Sequence, residues 1–212
     1  MGDRIFTRSA AAWADSTYKS VWVRDSGTWK EVKTLKVRDG GVWKVAFEAF
    51  IGFLRPNSDV ETGDWGSLPL YEKLDEVTAD DATTEIDSEN FTNSSGVDVY
   101  DFRVGLSTPA STPTAGEVIT LRVRHWLEIL SGGLDSNDVT IELRQATTPR
   151  VTISTSSNTG GYTTTTHVLS TAEKESISAW NILNVRYEQS ARVTTLGDSA
   201  IGHVTWIELE LS

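Results

Sequence analysis

The segment "ITLRVRHW", residues 119–126, alternates between apolar and polar side chains. Ile119, Leu121 and Val123 fall on one side of an extended chain, and a threonine and two arginines fall on the other. This period of two predicts a β-strand that buries one face in a core and exposes the other face to solvent. By the same alternation, Trp126 points away from Leu121 and Val123 and lies on the outer face.

The chain after residue 97 repeats this pattern in short segments, and clusters of Gly, Pro, Ser, Asn and Asp separate them. The other segments of this kind are "VDVYDFRVG" (97–105), "VTIELR" (139–144), "RVTIST" (150–155), "TTTTHVLS" (163–170), "LNVRYEQ" (183–189) and "HVTWIELEL" (203–211). Seven or more short strands predict an all-β fold, an antiparallel, jelly-roll-like β-sandwich over residues 67–212. The one helical pattern covers residues 170–183, with Ser170 or Thr171 as its N-cap.

Two tryptophans are candidates for binding a glycan on the outer face of this sandwich. Trp126 is one, and Trp206 is the other because it points opposite to Ile207 and Leu209. An exposed aromatic ring can stack on a sugar face while polar neighbours bond the sugar hydroxyls. The alternative is that a neighbouring subunit or the N-terminal part of the chain covers both rings.

Residues 57–90 form an acidic stretch with eleven carboxylates and one cation, Lys73. This composition favours a solvated acidic surface. The alternative is a Ca²⁺ site, since oxygen-rich loops with several carboxylates bind this ion, although no D-x-D-x-D-G loop is present. Residues 51–66, which contain Pro56 and Gly63, predict a linker or an entering strand.

The front of the chain contains one small motif twice, in "VWVRDSGTWKEVKTLKVRDGGVWK" at residues 21–44. Val-Arg-Asp-x-Gly-x-Trp-Lys starts at Val23 and again at Val37. The Asp and Gly of each copy predict a β-hairpin with a three-residue loop. The alternation breaks between residues 31 and 34, which predicts a bulge or a change of sheet face there. We therefore predict a hairpin-repeat module over residues 1–50.

Four of the eight tryptophans lie in this first quarter of the chain: Trp13, Trp22, Trp29 and Trp43. A module of about 50 residues buries proportionately little of its surface, so it is expected to gain stability by packing on something else. Large aromatic residues are favoured at the buried centre of protein interfaces. The four tryptophans are therefore candidate partner-binding residues, and the alternative is that they fill the module's own small core.

Charge divides the chain in the same way. The net charge of −11 combines 9 basic and 6 acidic residues in positions 1–50 with 10 basic and 24 acidic residues in positions 51–212. An acidic body argues against binding to nucleic acid, which needs clustered Lys and Arg. No apolar run has the length of a membrane span or of a signal-peptide core, so no membrane partner and no export signal are predicted. The absence of cysteine excludes disulfides and thiolate sites.

The sequence contains no motif of a known catalytic or metal centre. His125, His167 and His203 each lie in a predicted strand, and none has a metal-ligand spacing such as H-x-x-x-H. Neither a G-x-S-x-G elbow nor a phosphate-binding glycine loop is present. We therefore predict a non-enzymatic protein with no catalytic residue, no metal ligand and no cofactor except the Ca²⁺ alternative. Carboxylate pairs in the acidic stretch leave a polysaccharide-cleaving enzyme as a further alternative.

The two halves of the chain each resemble parts of tailed-bacteriophage proteins. Paired copies of V-x-V-R-D-x-G-x-W-K, here within about residues 18–47, resemble repeats near the start of structural proteins of phages and prophages. The order of segments over about residues 97–212 resembles the β-sandwich modules of phage tail, fibre and head-decoration proteins. Those modules are themselves similar to carbohydrate-binding jelly rolls.

This resemblance implies a structural component of a virion, assembled in the host cytoplasm, as a head decoration or spike or as a tail-associated, fibre-like protein. The implied partners are other virion proteins, with the N-terminal module as the attachment point. A homo-oligomer, most simply a trimer, is expected because closed symmetry would bury the hairpin edges. The alternative is a carbohydrate-binding adhesin that recognises a host surface glycan.

Overall fold

The structure, a computed structural model, describes the strands of the front module by their backbone and most of the chain from residue 52 onward in full. The described residues are 21–25, 28–32, 34–39, 42–48, 52–66, 68–77, 84–109, 112–113 and 116–212. The chain divides into two compact units, Met1–Ile51 with Ser212, and Gly52–Leu211. No helix in the described part of the chain is long and apolar enough to cross a lipid bilayer.

The front unit contains two separate antiparallel hairpins, one for each copy of the motif. Its strands are β1 (Val21–Asp25), β2 (Thr28–Val32), β3 (Thr34–Asp39) and β4 (Val42–Glu48). Next to the turn the two copies have the same register, because Arg24 pairs with Trp29 in the first hairpin and Arg38 pairs with Trp43 in the second. Farther from the turn, the register of β3 and β4 shifts between Leu35 and Lys36. The bulge or change of sheet face predicted between residues 31 and 34 falls where the chain passes from one two-stranded sheet to the other, since β2 and β3 belong to different sheets.

The loop length differs from the prediction. Asp25 pairs with Thr28, and Asp39 pairs with Val42, so that two residues separate the paired positions instead of three. The physical reason is strand twist, because two-residue loops match the right-handed twist of the flanking strands.

The second unit is built from ten strands, two short helices and one 3-10 turn within its described residues. The strands are β5 (Gly52–Leu54), β6 (Pro56–Glu61), β7 (Ile86–Phe91), β8 (Asp98–Leu106), β9 (Ile119–Ser131), β10 (Leu134–Gln145), β11 (Thr148–Thr155), β12 (Thr163–Val168), β13 (Leu183–Val193) and β14 (Ser199–Leu211). The helices are α1 (Tyr71–Leu74) and α2 (Thr171–Ser176), and the 3-10 turn is Trp180–Ile182.

These strands form two antiparallel sheets. The first sheet has the order β11-β10-β13-β8-β6, and the second has the order β12-β9-β14-β5. Strand β7 also pairs with β14, at residues 200–204, whereas β5 pairs at residues 209–211. The all-β class and the antiparallel sandwich are thereby confirmed, and the jelly-roll detail stays a prediction.

Of the two alternatives predicted for residues 51–66, a linker or an entering strand, the structure has strands. Strands β5 and β6 lie in this range, and each joins a different sheet of the sandwich. Leu54 and Pro56, on either side of the junction, are both buried. Burial of these two side chains anchors both strands to the core of the sandwich. Each strand is too short and too polar to show a clear period of two in the sequence.

The core between the sheets is partly aromatic. The rings of Phe102 and Tyr187 stack with centroids 5.6 Å apart, and Trp65 packs edge-on against both, with centroids 5.1 and 5.6 Å away. All three residues are at most 4% exposed. The remaining buried residues are mainly the apolar positions of the alternating segments, so the strands fold with the faces that the sequence pattern predicts.

The predicted helix is present but shorter than expected. Ser170 is the N-cap of α2, and its hydroxyl and the Glu173 carboxylate form a reciprocal capping box. The helix ends at Ser176 because Ile177 turns to an extended conformation and buries its side chain, which is 5% exposed. The rest of the predicted range becomes the 3-10 turn at Trp180–Ile182 and the start of β13.

Candidate functional site

The outer face of the second sheet contains a group of aromatic, acidic and imidazole side chains. It is built where β9, β14 and β7 lie side by side: His203 on β14 pairs with Trp126 on β9 and with Asp87 on β7. Because paired residues point to the same face of a sheet, the three side chains form a row across three strands. We call the following group the outer-face cluster: Glu85, Asp87, Trp126, Glu128, Tyr162 and His203.

A β-bulge in β14 brings this row to the surface. The register with β9 shifts between Val204 and Trp206, which leaves Thr205 as an extra residue. Before the bulge, His203 faces outward and Val204 is buried; after it, Trp206 faces outward and Ile207 is buried. The bulge thus changes which alternate residues of β14 face the core.

Aromatic contacts hold the imidazole of His203 in place. The Trp126 ring stacks on it with centroids 5.0 Å apart and an interplanar angle of 25°. Tyr162, just before β12, packs edge-on against Trp126 at 5.3 Å, and the guanidinium of Arg124 lies 5.6 Å from the centre of the Tyr162 ring. As a result His203 is only 6% exposed, although it lies on the outer face.

Three carboxylates surround this imidazole. Its Nδ1 lies 2.7 Å from Oδ1 of Asp87 and 3.4 Å from Oε2 of Glu85, and its Nε2 lies 3.4 Å from Oε2 of Glu128. The Tyr162 hydroxyl donates a hydrogen bond to the Glu85 carboxylate. Glu85, Asp87 and His203 each offer one ligand atom, and these atoms lie within 4.8 Å of one another. Chemically, this combination of one nitrogen and two oxygens can hold a divalent metal ion.

The second candidate tryptophan, Trp206, lies on the same face but has different contacts. Its indole N–H donates a hydrogen bond of 3.0 Å to the backbone carbonyl of Glu76, in the segment after α1. Trp206 pairs across the sheet with Arg124, next to the outer-face cluster. The two tryptophans predicted to bind a glycan therefore share one face, and their glycan-binding role stays a prediction.

An ion-pair ladder continues along this face beyond Trp206. Glu208, 3% exposed, accepts a hydrogen bond of 2.6 Å from Arg55 and lies 3.6 Å from Arg122, which also pairs with Glu210 at 2.6 Å. Burial raises the pKa of Glu208 above its usual range, although Arg55 and Arg122 both act to lower it. The ladder links the junction between β5 and β6, where Arg55 lies, to β14 and β9, and we interpret it as structural.

A second polar group is buried between the sheets. His125 Nδ1 lies 2.7 Å from the Ser157 hydroxyl, and His125 Nε2 lies 2.9 Å from the Thr165 hydroxyl. Gln189 donates a hydrogen bond of 3.1 Å to the Ser157 hydroxyl and accepts one from the Tyr187 hydroxyl. Burial lowers the pKa of His125 to about 4 and raises that of Tyr187. His125 and Ser157 have the spacing of a base and a nucleophile, but they are 0% and 6% exposed, so the contact stabilises the core.

The other predicted site residues lie in the front unit. Trp22, Trp29 and Trp43 belong to β1, β2 and β4, and their side chains lie outside the described part of the structure. Trp13 also lies outside the described residues. The partner-binding role of these four tryptophans stays a prediction.

Sequence reasoning missed most of the outer-face cluster. It treated Glu85 and Asp87 as members of an acidic surface and His203 as a single strand residue. The available signal was the change of alternation within β14, where Val204 and Ile207, three positions apart, are both apolar and buried. A bulge between them would have placed His203 and Trp206 on one face.

Comparisons with known proteins give little. No family model matches the sequence, and no curated protein matches it. Among solved structures, the chain is similar to SGBP-B from a complex xyloglucan utilization locus in Bacteroides uniformis, with a TM-score of 0.37 and 9% sequence identity. The alignment covers 91% of this chain and 55% of that chain, so this chain spans about half the length of that structure. A TM-score this low carries no argument about fold or function.

Proposed function

We propose that this protein is a non-enzymatic structural component of a tailed-phage virion, which docks through its hairpin unit and displays the acidic sandwich. The observation that carries the proposal is the pair of hairpins with the same pairing next to the turn, Arg24 opposite Trp29 and Arg38 opposite Trp43, in a unit separate from the sandwich. The resemblance of this repeat to those of phage structural proteins supports the same role. The expected location is the virion, in contact with other virion proteins.

The physical reason for a docking role is the low stability of small hairpins. A two-stranded hairpin is marginally stable in water, and its edges present unpaired backbone groups. Packing against a neighbouring protein, or against other copies of the same chain, would cover both the edges and the tryptophans. A closed homo-oligomer, most simply a trimer, supplies such neighbours symmetrically.

The test is incorporation into particles. We would purify virions from the host that carries the gene, detect the protein by mass spectrometry, and locate it by immunogold electron microscopy. We expect full-length protein on the particle, loss of incorporation for the double variant Trp29→Ala/Trp43→Ala, and normal incorporation for Leu196→Ser. Leu196 is a suitable control because it is 92% exposed at a loop of the sandwich. Absence of the protein from purified particles would refute the proposal.

The outer-face cluster supports a second candidate function, a carbohydrate-binding adhesin. The rings of Trp126 and Tyr162 lie beside three carboxylates, and aromatic rings with polar neighbours are the usual components of a shallow sugar site. Screening the full chain against polysaccharides of the host surface tests this function. We expect Trp126→Ala to abolish binding and Leu196→Ser to leave it unchanged. If the wild-type protein binds no host polysaccharide, this candidate is eliminated while the virion role stands.

A further inference from the structure

We propose that Glu85, Asp87 and His203 bind a divalent transition-metal ion of the Zn²⁺ type, and that Glu128 is a positioning residue for His203. This inference is independent of the proposed function. It assigns a ligand to the ionic part of the outer-face cluster, where one imidazole is placed among three carboxylates.

The spacing of the ligand atoms fits such an ion. A tetrahedral ion with bonds of about 2.1 Å needs ligand atoms roughly 3.4 Å apart. The Nδ1 atom of His203 and Oε2 of Glu85 are already 3.4 Å apart, and Nδ1 is 2.7 Å from Oδ1 of Asp87. The distance from Nδ1 to Asp87 must therefore lengthen by about 0.7 Å to reach this spacing, and the Asp87 side chain is 41% exposed and able to move. All three ligand atoms lie within 4.8 Å of one another.

The second observation is the other nitrogen of the same ring. His203 Nε2 is buried and makes no hydrogen bond within the described part of the chain, and the carboxylate of Glu128 faces it at 3.4 Å. Histidine ligands of metal ions usually direct their second N–H to a carboxylate, which fixes the tautomer. In the structure Nδ1 hydrogen-bonds the Asp87 carboxylate at 2.7 Å, so an ion at this site would displace the proton of that bond. With the ring proton then on Nε2, toward Glu128, the Nδ1 lone pair would face the ion.

The neighbours of the three ligands support this arrangement. Trp126 stacks on the imidazole and fixes its tilt, and Tyr162 donates a hydrogen bond to Glu85. Hydrogen bonds to ligating carboxylates are typical of the layer around a metal site. A dication would also offset the surplus of negative charge that three carboxylates produce around one imidazole.

The donor set selects the type of ion. Ca²⁺ takes six to eight oxygen ligands, whereas imidazole nitrogen suits Zn²⁺ and similar transition metals. Two carboxylates and one neutral imidazole, with water in the fourth position, resemble the composition of three-ligand zinc sites. We therefore replace the Ca²⁺ alternative for Glu85 and Asp87 with a site for Zn²⁺.

The ion would connect segments that are distant in the sequence. Glu85 and Asp87 lie at or just before the short strand β7, and His203 lies in the long strand β14. A bound ion would therefore stabilise the pairing of β7 with β14. We expect Zn²⁺ to raise the melting temperature of the full chain and Ca²⁺ to leave it unchanged.

The test uses the untagged, metal-free full chain with Zn²⁺, Co²⁺ and Ca²⁺ as separate probes. Titration calorimetry should give one Zn²⁺ per chain, and Co²⁺ should give the visible absorption of a tetrahedral site. We expect His203→Gln to weaken Zn²⁺ binding by at least 100-fold. The matched control is His167→Gln, because His167 also pairs with a carboxylate, Glu173 at 3.0 Å, but lies outside the cluster.

Two further sets of variants keep the test decisive. If His203→Gln fails to fold, Glu85→Gln and Asp87→Asn replace it, since both side chains are partly exposed, and each should weaken binding at least tenfold. Glu128→Gln should weaken binding by about 10- to 100-fold and shift the Co²⁺ spectrum, and Glu128→Asp should restore both in part. The proposal is overturned if millimolar Zn²⁺ does not bind, if Ca²⁺ binds as tightly as Zn²⁺, or if His167→Gln lowers affinity as much as the cluster variants.

Discussion

Acidification from pH 7 to pH 4 should destabilise the sandwich through His125. This residue is 0% exposed, and both ring nitrogens lie within hydrogen-bond distance of hydroxyls, Ser157 at 2.7 Å and Thr165 at 2.9 Å. Burial penalises the charged imidazolium and lowers the pKa of His125 from its ordinary value of 6.5 to about 4. The folded protein therefore keeps His125 neutral at a pH where the unfolded chain protonates it.

The direction of the effect follows from the number of bound protons. Between pH 6.5 and about 4 the unfolded state binds more protons at this residue than the folded state does. The free energy of unfolding therefore falls as the pH falls through this range. Above pH 6.5 His125 is largely neutral in both states, so it no longer makes the stability depend on pH. A pKa difference of roughly 2.5, at about 1.4 kcal/mol for each unit, corresponds to a loss of about 3 kcal/mol at pH 4.

The assay is urea unfolding of the full chain at pH 7, 6, 5 and 4, followed by far-UV circular dichroism. The variant His125→Asn removes the titrating group and retains hydrogen-bonding atoms, and His167→Asn is the control on the sandwich surface. Carboxylate titrations are common to the wild type and His125→Asn, so they cancel in that comparison, whereas His167→Asn also removes the imidazole partner of the Glu173 carboxylate. We expect the wild type and His167→Asn to lose about 3 kcal/mol more than His125→Asn between pH 7 and pH 4. Parallel pH profiles for the wild type and His125→Asn would refute the reasoning.

Three other perturbations test the packing of the sandwich and the dependence of the front unit. Gly202→Ala should cost about 1–3 kcal/mol by thermal denaturation, because the added Cβ would lie 2.3 Å from the buried Gln189 side chain; an unchanged melting temperature would contradict this. Ser170→Ala, measured by urea unfolding, should cost about 0.5–2 kcal/mol because it removes the capping box of α2, whereas Ser170→Asp should retain most of the stability. Residues 1–51 alone should give poorly dispersed amide resonances if the hairpins need a partner, and a well-dispersed spectrum would exclude that dependence.

Much of the sandwich could be predicted because its strands are long and only one face is buried. In β9, Leu121 and Val123 are at most 1% exposed, as the alternation in "ITLRVRHW" requires. The N-cap at Ser170 was equally predictable, since serine followed three residues later by glutamate is a local signal that needs no tertiary contact. Local patterns of this kind determine the element types before the sheets assemble.

The sequence left alternatives open, or predicted wrongly, where tertiary pairing determines the structure. Strand β5 has three residues, and β6 contains a proline and mostly exposed side chains, so neither has a readable period of two. Both strands exist because β8 and β14 offer edges for backbone hydrogen bonds. The loop length of the front hairpins was likewise determined by the twist of paired strands, which the identity of the turn residues alone does not specify.

Most of the outer-face cluster was missed for a further reason, the extra residue in β14. In a regular strand starting at Ala200, every second residue would face the core, and Trp206 would point inward with Val204. The bulge at Thr205 reverses this: Ile207, Leu209 and the strand end are buried, while Trp206 joins His203 outside. The extra residue thus lets β14 bury apolar side chains on both sides of the bulge, Val204 before it and Ile207 and Leu209 after it. On the outer face, His203 lies beside side chains of β9 and β7. Bulges are over-represented beside active sites, and this one lies directly next to the outer-face cluster, which is why the metal-binding test is aimed at this face.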